Sequence, residues 1–299
     1  MTLTLTTRLE RAGEVSNDRQ ATANVVIGTQ GWSAESWSGV LYPKGLPAND
    51  RLAWYARTFN GVEVNTSFHA VPPIAAVRNW KSSTPADFTF TLKMPRTITH
   101  EGKLRDPGTD LSSFLNVAVE LGEKLGAVLV QLPPSFGATD LPALDRFLQY
   151  VPVHEMRFCI EVRRPELRSP GVRDLLRRRG VGLVSTNLTS APGEIDVING
   201  LVYLRLLGPR QVPGQVASAP HDEPDLGAFK RQAGSWAAAL RLAVAVSSPS
   251  SPRAFCFASN DYFGPGFLPA AYLMRQMGLP VYLPAGSFLD TTPVQGMLL

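Results

Sequence analysis

The sequence predicts a single-domain α/β protein, a (β/α)8 barrel of the TIM type. Three observations lead there. From residue 25 onward short apolar runs alternate with segments of helical periodicity, eight of those runs read as strands, and no linker or internal repeat divides the chain. The 299 residues, 44% hydrophobic and 18% charged, supply enough apolar material for one core of that size.

In order, the expected strands are VVIGTQG at 25–31, GVEVNTSF at 61–68, DFTFTLKMP at 87–95 and AVLVQLPP at 127–134. They continue with RFCIEVRRP at 157–165, VGLVSTN at 181–187, LVYLRLLG at 201–208 and RAFCFASND at 253–261. Helical periodicity marks 111–126, 141–151, 171–180 and 226–246. The connection from the sixth strand to the seventh is short and contains Gly and Pro, so the sixth helix is expected to be irregular or missing. The Pro/Ser-rich stretches GPRQVPGQVASAPHDEP and SSPSSPR read as loops inside the domain.

Residues 1–24 lack the compact apolar core of a secretory leader and read as a polar, disordered tail ahead of a domain over 25–299. No apolar run is long enough to cross a bilayer. Cys159 and Cys256 lie in separate apolar runs with no ligand spacing around them, which suits buried thiols in a reduced, cytoplasmic protein. A net charge of +4 permits an acidic ligand, but the basic residues are spread along the chain, so nucleic acid is not the expected partner. The densest run, Arg177 to Arg179, ends an expected helix, where cations suit the dipole and the solvent.

Strand parity gives the first sign of a site. Side chains alternate across a strand, so Phe88, Phe90 and Leu92 share one face while Thr89, Thr91 and Lys93 share the other. In the fifth strand Phe158, Ile160 and Val162 oppose Cys159, Glu161 and Arg163. Large apolar residues suit the helix side, leaving the second set for the lumen, with its charges near the C-terminal strand ends where barrel enzymes place their chemistry. The ring read this way comprises Glu63, Asn65, Lys93, Gln131, Glu161, Arg163, Arg205 and Asn260, the last sharing a face with Cys256 and Ala258. His100 reaches in from the loop after the third strand.

Two acids facing three bases allow several chemistries. The carboxylates could serve as the acid and the nucleophile or base of glycosyl transfer. Lys93 could form a Schiff base if burial lowers its pKa, although a neighbouring acid would keep it protonated and favour charge stabilisation. The three cations suit a phosphate or carboxylate. A stabilising ion network such as Glu161 with Arg205 is the competing reading. Only His69, His100, His154 and His221 are present and none form a ligand pair, so no metal is expected and the residues name no cofactor.

The stretches GTQGWSAESWSGVLYPKGLP, LAWYARTFNGVEVNTSFHAVP, WKSSTPADFTFTLKMPRTITH, VQLPPSF and IEVRRPEL closely resemble the YecE-like family, the domain of unknown function 72. The resemblance continues through YLRLLG and FASNDYFGPGFLPAA, over nearly all of 25–290, and implies a TIM-like barrel without an established activity. It matches Trp32, Trp37, Tyr42, Glu63, Asn65, Phe68, Trp80, Lys93, His100, Gln131, Glu161, Arg163 and Arg205. The family pattern has an acid where this chain carries Asn187, an imidazole where it carries Leu207, and an Asn pair where it carries Ser259 and Asn260. The candidate catalytic residues are Glu63, Glu161, Lys93 and His100. Those expected to bind substrate are Trp32, Asn65, Phe68, Gln131, Arg163, Arg205 and Asn260, with Trp37 and Tyr42 open between stacking on a ligand and core packing. The expectation is a hydrolase or lyase acting on a small anionic or polyhydroxylated substrate, or else a non-catalytic binding protein for a phosphorylated ligand or nucleic acid.

Overall fold

Eight parallel strands close into a barrel in the computed structural model, which describes residues 25–191, 193–208, 226–245, 253–260 and 265–283. The expected tail over 1–24 and most of both Pro/Ser-rich stretches lie outside those residues. The strands are β1 Val25–Gln30, β2 Gly61–Val64, β3 Thr89–Lys93 and β4 Leu125–Gln131, then β5 Phe158–Glu161, β6 Gly182–Thr186, β7 Leu201–Leu206 and β8 Arg253–Ala258. Each pairs with its sequence neighbour, and β8 closes on β1. The described helices are α1 Arg51–Tyr55, α2 Ile74–Ser82, α3 Gly108–Ala118, α4 Leu141–Tyr150, α5 Pro170–Arg178, α6 Leu226–Ala245 and α7 Phe267–Gln276. None is long and apolar enough to cross a membrane.

The expected helix over 111–126 divides into α3 and a tighter turn over Val119–Lys124, within which Gly122 takes φ +56°, a value side-chain-bearing residues rarely adopt. Between β6 and β7 the described residues form no helix. An ionic knot holds that connection instead: Asp196 receives Arg168 Nη2 on one carboxylate oxygen and Arg173 Nε on the other at 2.9 Å, while its backbone N–H donates to Ser185 Oγ at 2.8 Å. The arginine run behaves as a helix end, with Arg177 paired to Asp174 and Arg179 to Asp145.

Two cores result. The outer one lies between sheet and helices and holds Phe88, Phe90, Leu92, Phe158, Ile160 and Val162, as parity requires. The inner one fills the lower lumen with Val26, Ala127, Leu129, Cys159, Val184, Leu201, Tyr203, Phe255 and Phe257. β8 therefore has the opposite parity from the one expected, since its aromatics point inward and Cys256 and Ala258 belong to the outer core. The cause is complementary volume. Gly126 on β4 leaves the space that Phe255 occupies, and a Cβ there would come within 2.6 Å of the ring. Above this aromatic plug the charged lumen residues Glu63, Lys93, Glu161 and Arg205 occupy the C-terminal half of the barrel.

Candidate functional site

The floor of the polar half is one hydrogen-bonded cluster. Arg205 on β7 grips Glu63 on β2 with both edges of its fork, Nε to Oε2 at 2.9 Å and Nη2 to Oε1 at 2.7 Å. Its remaining Nη1 donates to Glu161 Oε2 on β5 at 2.5 Å. Gln131 on β4 donates to the other Glu161 oxygen at 2.8 Å, and Arg163 Nε lies 3.8 Å from it. Tyr203 donates its single hydroxyl proton to Glu63 Oε2, so Thr91 Oγ1, 2.9 Å away, must be the donor to Tyr203.

Electrostatics follow the pairing. Burial pushes the Glu161 carboxyl up, but the charges of Arg205 and Arg163 outweigh it and hold the group below the ordinary carboxylate range. For Arg205 burial acts downward, and Glu161 and Glu63 reverse it, so the guanidinium stays charged. Burial and the Glu63 charge together raise the Tyr203 phenol well above its ordinary value. Both candidate acids are thus committed to Arg205.

Above the floor stands a different group. Lys93 ends β3, retains 9% of its surface, and holds Nζ 3.7 Å from the centroid of the Phe68 ring. Ser67 Oγ lies within hydrogen-bond distance of the Val64 and Lys93 carbonyls, at 2.9 and 2.7 Å, and so fixes the end of β3 against β2. His100 meets the same Phe68 ring edge-on at 4.9 Å between centroids. It lies in a π-helical turn over Thr97–Glu101, a local form frequent at functional sites.

The tautomer of His100 is fixed by its neighbour. Thr99 Oγ1 donates to the Pro95 carbonyl at 3.0 Å and is 2.9 Å from His100 Nδ1, so Nδ1 carries the proton and Nε2 presents a lone pair. Burial first, and the Lys93 charge second, lower the imidazole to about 4. Burial first, and then Arg205, lower Lys93 to about 8 against the pull of Glu63 and Glu161.

The remaining candidates divide. Asn65 follows β2, with its Oδ1 buried and unpartnered among the described residues. Trp32 packs edge-on against Trp80 of α2 at 5.5 Å, while Trp37 is fully buried among Tyr42, Tyr55 and Phe267. Tyr42 is also buried and donates to the Trp32 carbonyl at 2.5 Å. Trp37 and Tyr42 are therefore core residues. Asn260 does not join the ring: it lies past β8, exposed, and its Oδ1 accepts from the Gly266 N–H at 3.2 Å. The inverted parity of β8, which also ends at Ala258, removes it from the lumen.

Two residues outside the expected ring belong to the same face. Gln30 ends β1 in register with Glu63, and its Nε2 is buried without a partner among the described residues. Tyr203 shares the inward face of Arg205. Both could have been found by applying parity to every strand rather than to the charged ones alone.

The positions departing from the family pattern form one cluster on the far rim. The Asn187 side chain donates to the Leu207 carbonyl at 2.8 Å and accepts from the Leu207 N–H at 2.6 Å. Ser259 Oγ accepts from Gly208 N at 3.1 Å. An Asp at 187 would lack the donor of that reciprocal pair.

Comparison with known proteins agrees with this architecture. Two structures of DUF72 family proteins superpose on the chain, one from Thermotoga maritima with TM-score 0.66 and 23% identity, covering 85% of this chain and 99% of that one. The other, from Enterococcus faecalis, has TM-score 0.63 and 20% identity, covering 89% and 100%. The UPF0759 protein YecE of Escherichia coli K12 is 35% identical over 157 residues, and YunF of Bacillus subtilis is 28% identical over 118. Those alignments span 52% and 38% of this chain and 55% and 41% of the relatives, so the match covers about half the length of the curated relatives at most. The model for the protein of unknown function DUF72 matches residues 26–287, and the chain belongs to that family.

Proposed function

We propose that the protein is an enzyme that binds a small anionic, polyhydroxylated substrate at the C-terminal mouth of its barrel and acts on it by lyase-type chemistry. The charge count of the ring carries this reading. Arg205 engages both Glu63 and Glu161, so the two acids and the three bases sum to one excess positive charge, with Arg205 and Lys93 buried and Arg163 partly exposed at the mouth. An anion entering the mouth offsets that excess. Lys93 and Arg163 supply the charge, His100 Nε2 accepts a proton, and the unclaimed Gln30 Nε2 and Asn65 Oδ1 suit ligand hydroxyls.

Two-carboxylate glycoside hydrolysis is disfavoured, because both carboxylates are tied to the buried Arg205 guanidinium and neither is free to attack. Nucleic acid is disfavoured because surface arginines such as Arg78 and Arg179 are paired with Glu120 and Asp145. The buried free thiols of Cys159 and Cys256 support a reducing, cytoplasmic setting.

The test is thermal unfolding with increasing phosphate or malonate at constant ionic strength. The reading expects a saturable rise in Tm, equivalent to about 2.7 kcal/mol at a hundredfold excess over Kd. A rise no larger than chloride gives, or one undiminished in Lys93→Met, overturns it.

A further inference from the structure

We infer that Lys93 is an imine-forming amine, and that the substrate is a carbonyl compound carrying an anionic group, of the 2-oxo acid or phosphorylated aldehyde class. The inference rests on the anion site proposed above and adds the identity of the reacting atom. Three observations on geometry carry it.

First, Nζ of Lys93 has no hydrogen-bond acceptor and no carboxylate within ion-pair distance among the described residues, since Glu63 and Glu161 are both held by Arg205. The sequence alone left open an acid beside Lys93 that would keep it protonated. Second, the amine lies against the face of Phe68, which favours an ammonium and equally the iminium that would replace it. Third, His100 stands against the same ring with Nδ1 committed to Thr99 and Nε2 unprotonated. The groups facing Lys93 are Arg205, Glu63, Glu161 and Arg163, and its charge in turn acts on His100.

The step balances without any redox partner. His100 Nε2 takes a proton from the ammonium, and the freed amine attacks the carbonyl carbon. The C–N bond forms as the C=O π pair moves to oxygen, and that oxygen takes a proton from the newly cationic nitrogen to give a neutral carbinolamine. His100 then returns its proton to the hydroxyl, which leaves as water while the nitrogen lone pair closes the C=N bond. The ammonium and the carbonyl thus become an iminium and one water, which carries two of the three original ammonium protons. The two groups share that proton in turn, because loss of charge on Lys93 removes the second cause that keeps His100 neutral. An iminium at a barrel mouth is an electron sink for breaking the adjacent C–C or C–H bond, which fits lyase chemistry.

The experiment is reductive trapping on the full chain. Pyruvate, glycolaldehyde phosphate and neutral acetone are each incubated with protein and sodium cyanoborohydride at pH 7, and the product is mapped by peptide mass spectrometry over the six lysines. An amine that titrates near 8 has roughly a hundredfold more free base at pH 7 than an ordinary lysine. The expected result is an adduct on Lys93 formed about a hundredfold faster than on exposed Lys44, with the two anionic probes ahead of acetone. Lys93→Arg should keep anion-dependent stabilisation and lose the adduct. An adduct spread evenly over the lysines, or none on Lys93 while phosphate still raises Tm, overturns the imine and leaves the anion site standing. Loss of both responses overturns the anion site as well.

Discussion

Two lysines of this chain are buried almost equally, Lys93 at 9% exposure and Lys124 at 8%, and their surroundings could hardly differ more. Lys124 precedes β4 at the N-terminal end of the barrel and spends all three ammonium protons on the chain around α2. Its Nζ donates to the Lys81 carbonyl at 2.6 Å, the Thr84 carbonyl at 2.8 Å and Thr84 Oγ1 at 3.0 Å. Lys93 ends β3 at the opposite mouth and has an aromatic face in place of acceptors. An unsatisfied buried ammonium is costly, so its retention needs an explanation other than stability. In a barrel, polar groups at the N-terminal face serve the fold and those at the C-terminal face serve chemistry. These two lysines illustrate that division within one sequence.

Replacing each lysine by methionine breaks the comparison most directly. Lys124→Met strands three acceptors, and denaturant unfolding should show a loss of about 3 kcal/mol or more. Lys93→Met should move the other way. The native amine titrates near 8 and an unfolded lysine near its ordinary value, so between those points the unfolded chain holds a proton that the native chain has released. Parent stability therefore rises with pH across that window, and the burial penalty is fully present below it. Removing the amine should flatten the rise and stabilise the protein at pH 7 by about 2 kcal/mol, after allowing for the lost contact with Phe68. Equal destabilisation by the two variants would mean that Lys93 is structural too.

Strand parity made much of this legible before any coordinates. It placed Glu63, Lys93, Glu161 and Arg205 inward because β2, β3, β5 and β7 keep the expected alternation through their last residues. It misplaced Asn260, since β8 turns its aromatics inward to fill the space beside Gly126, a volume match between strands distant in sequence. The pairing of Glu161 with Arg205 is legible as the competing ion network, but the bidentate grip of the same guanidinium on Glu63 is not, because the sequence names the charges without saying which oxygen meets which nitrogen. The Lys124 site was equally hidden: two of its three partners are backbone carbonyls, which leave no mark on side-chain pattern. The turn at Gly122 and the lack of a helix among the described residues between β6 and β7 differ in kind. A glycine at positive φ is only permitted by its residue type, whereas a Gly/Pro-bearing gap too short for a helix is visible as length.

The smallest expected effect is on the titration of Lys93, and it sharpens the contrast furthest. Glu161→Gln keeps the shape of the side chain and leaves Arg205 its bidentate partner Glu63, so the loss of stability should stay below the roughly 3–5 kcal/mol of a wholly broken buried pair. Its electrostatic reach is longer. Burial sets the lowered pKa of Lys93, Arg205 deepens it, and the Glu161 charge is one of the two that act upward. Neutralising that carboxylate should take the amine further below about 8, which an NMR titration of the lysine Cε resonances measures directly. Reductive trapping at pH 7 should quicken in step, since more of the amine is unprotonated. Lys124 supplies the internal control, because burial and Lys81 dominate its titration and Glu161 is not among its influences. A Lys93 resonance that titrates unchanged would detach it from the ring below, and the mouth would then be two independent clusters rather than one electrostatic unit.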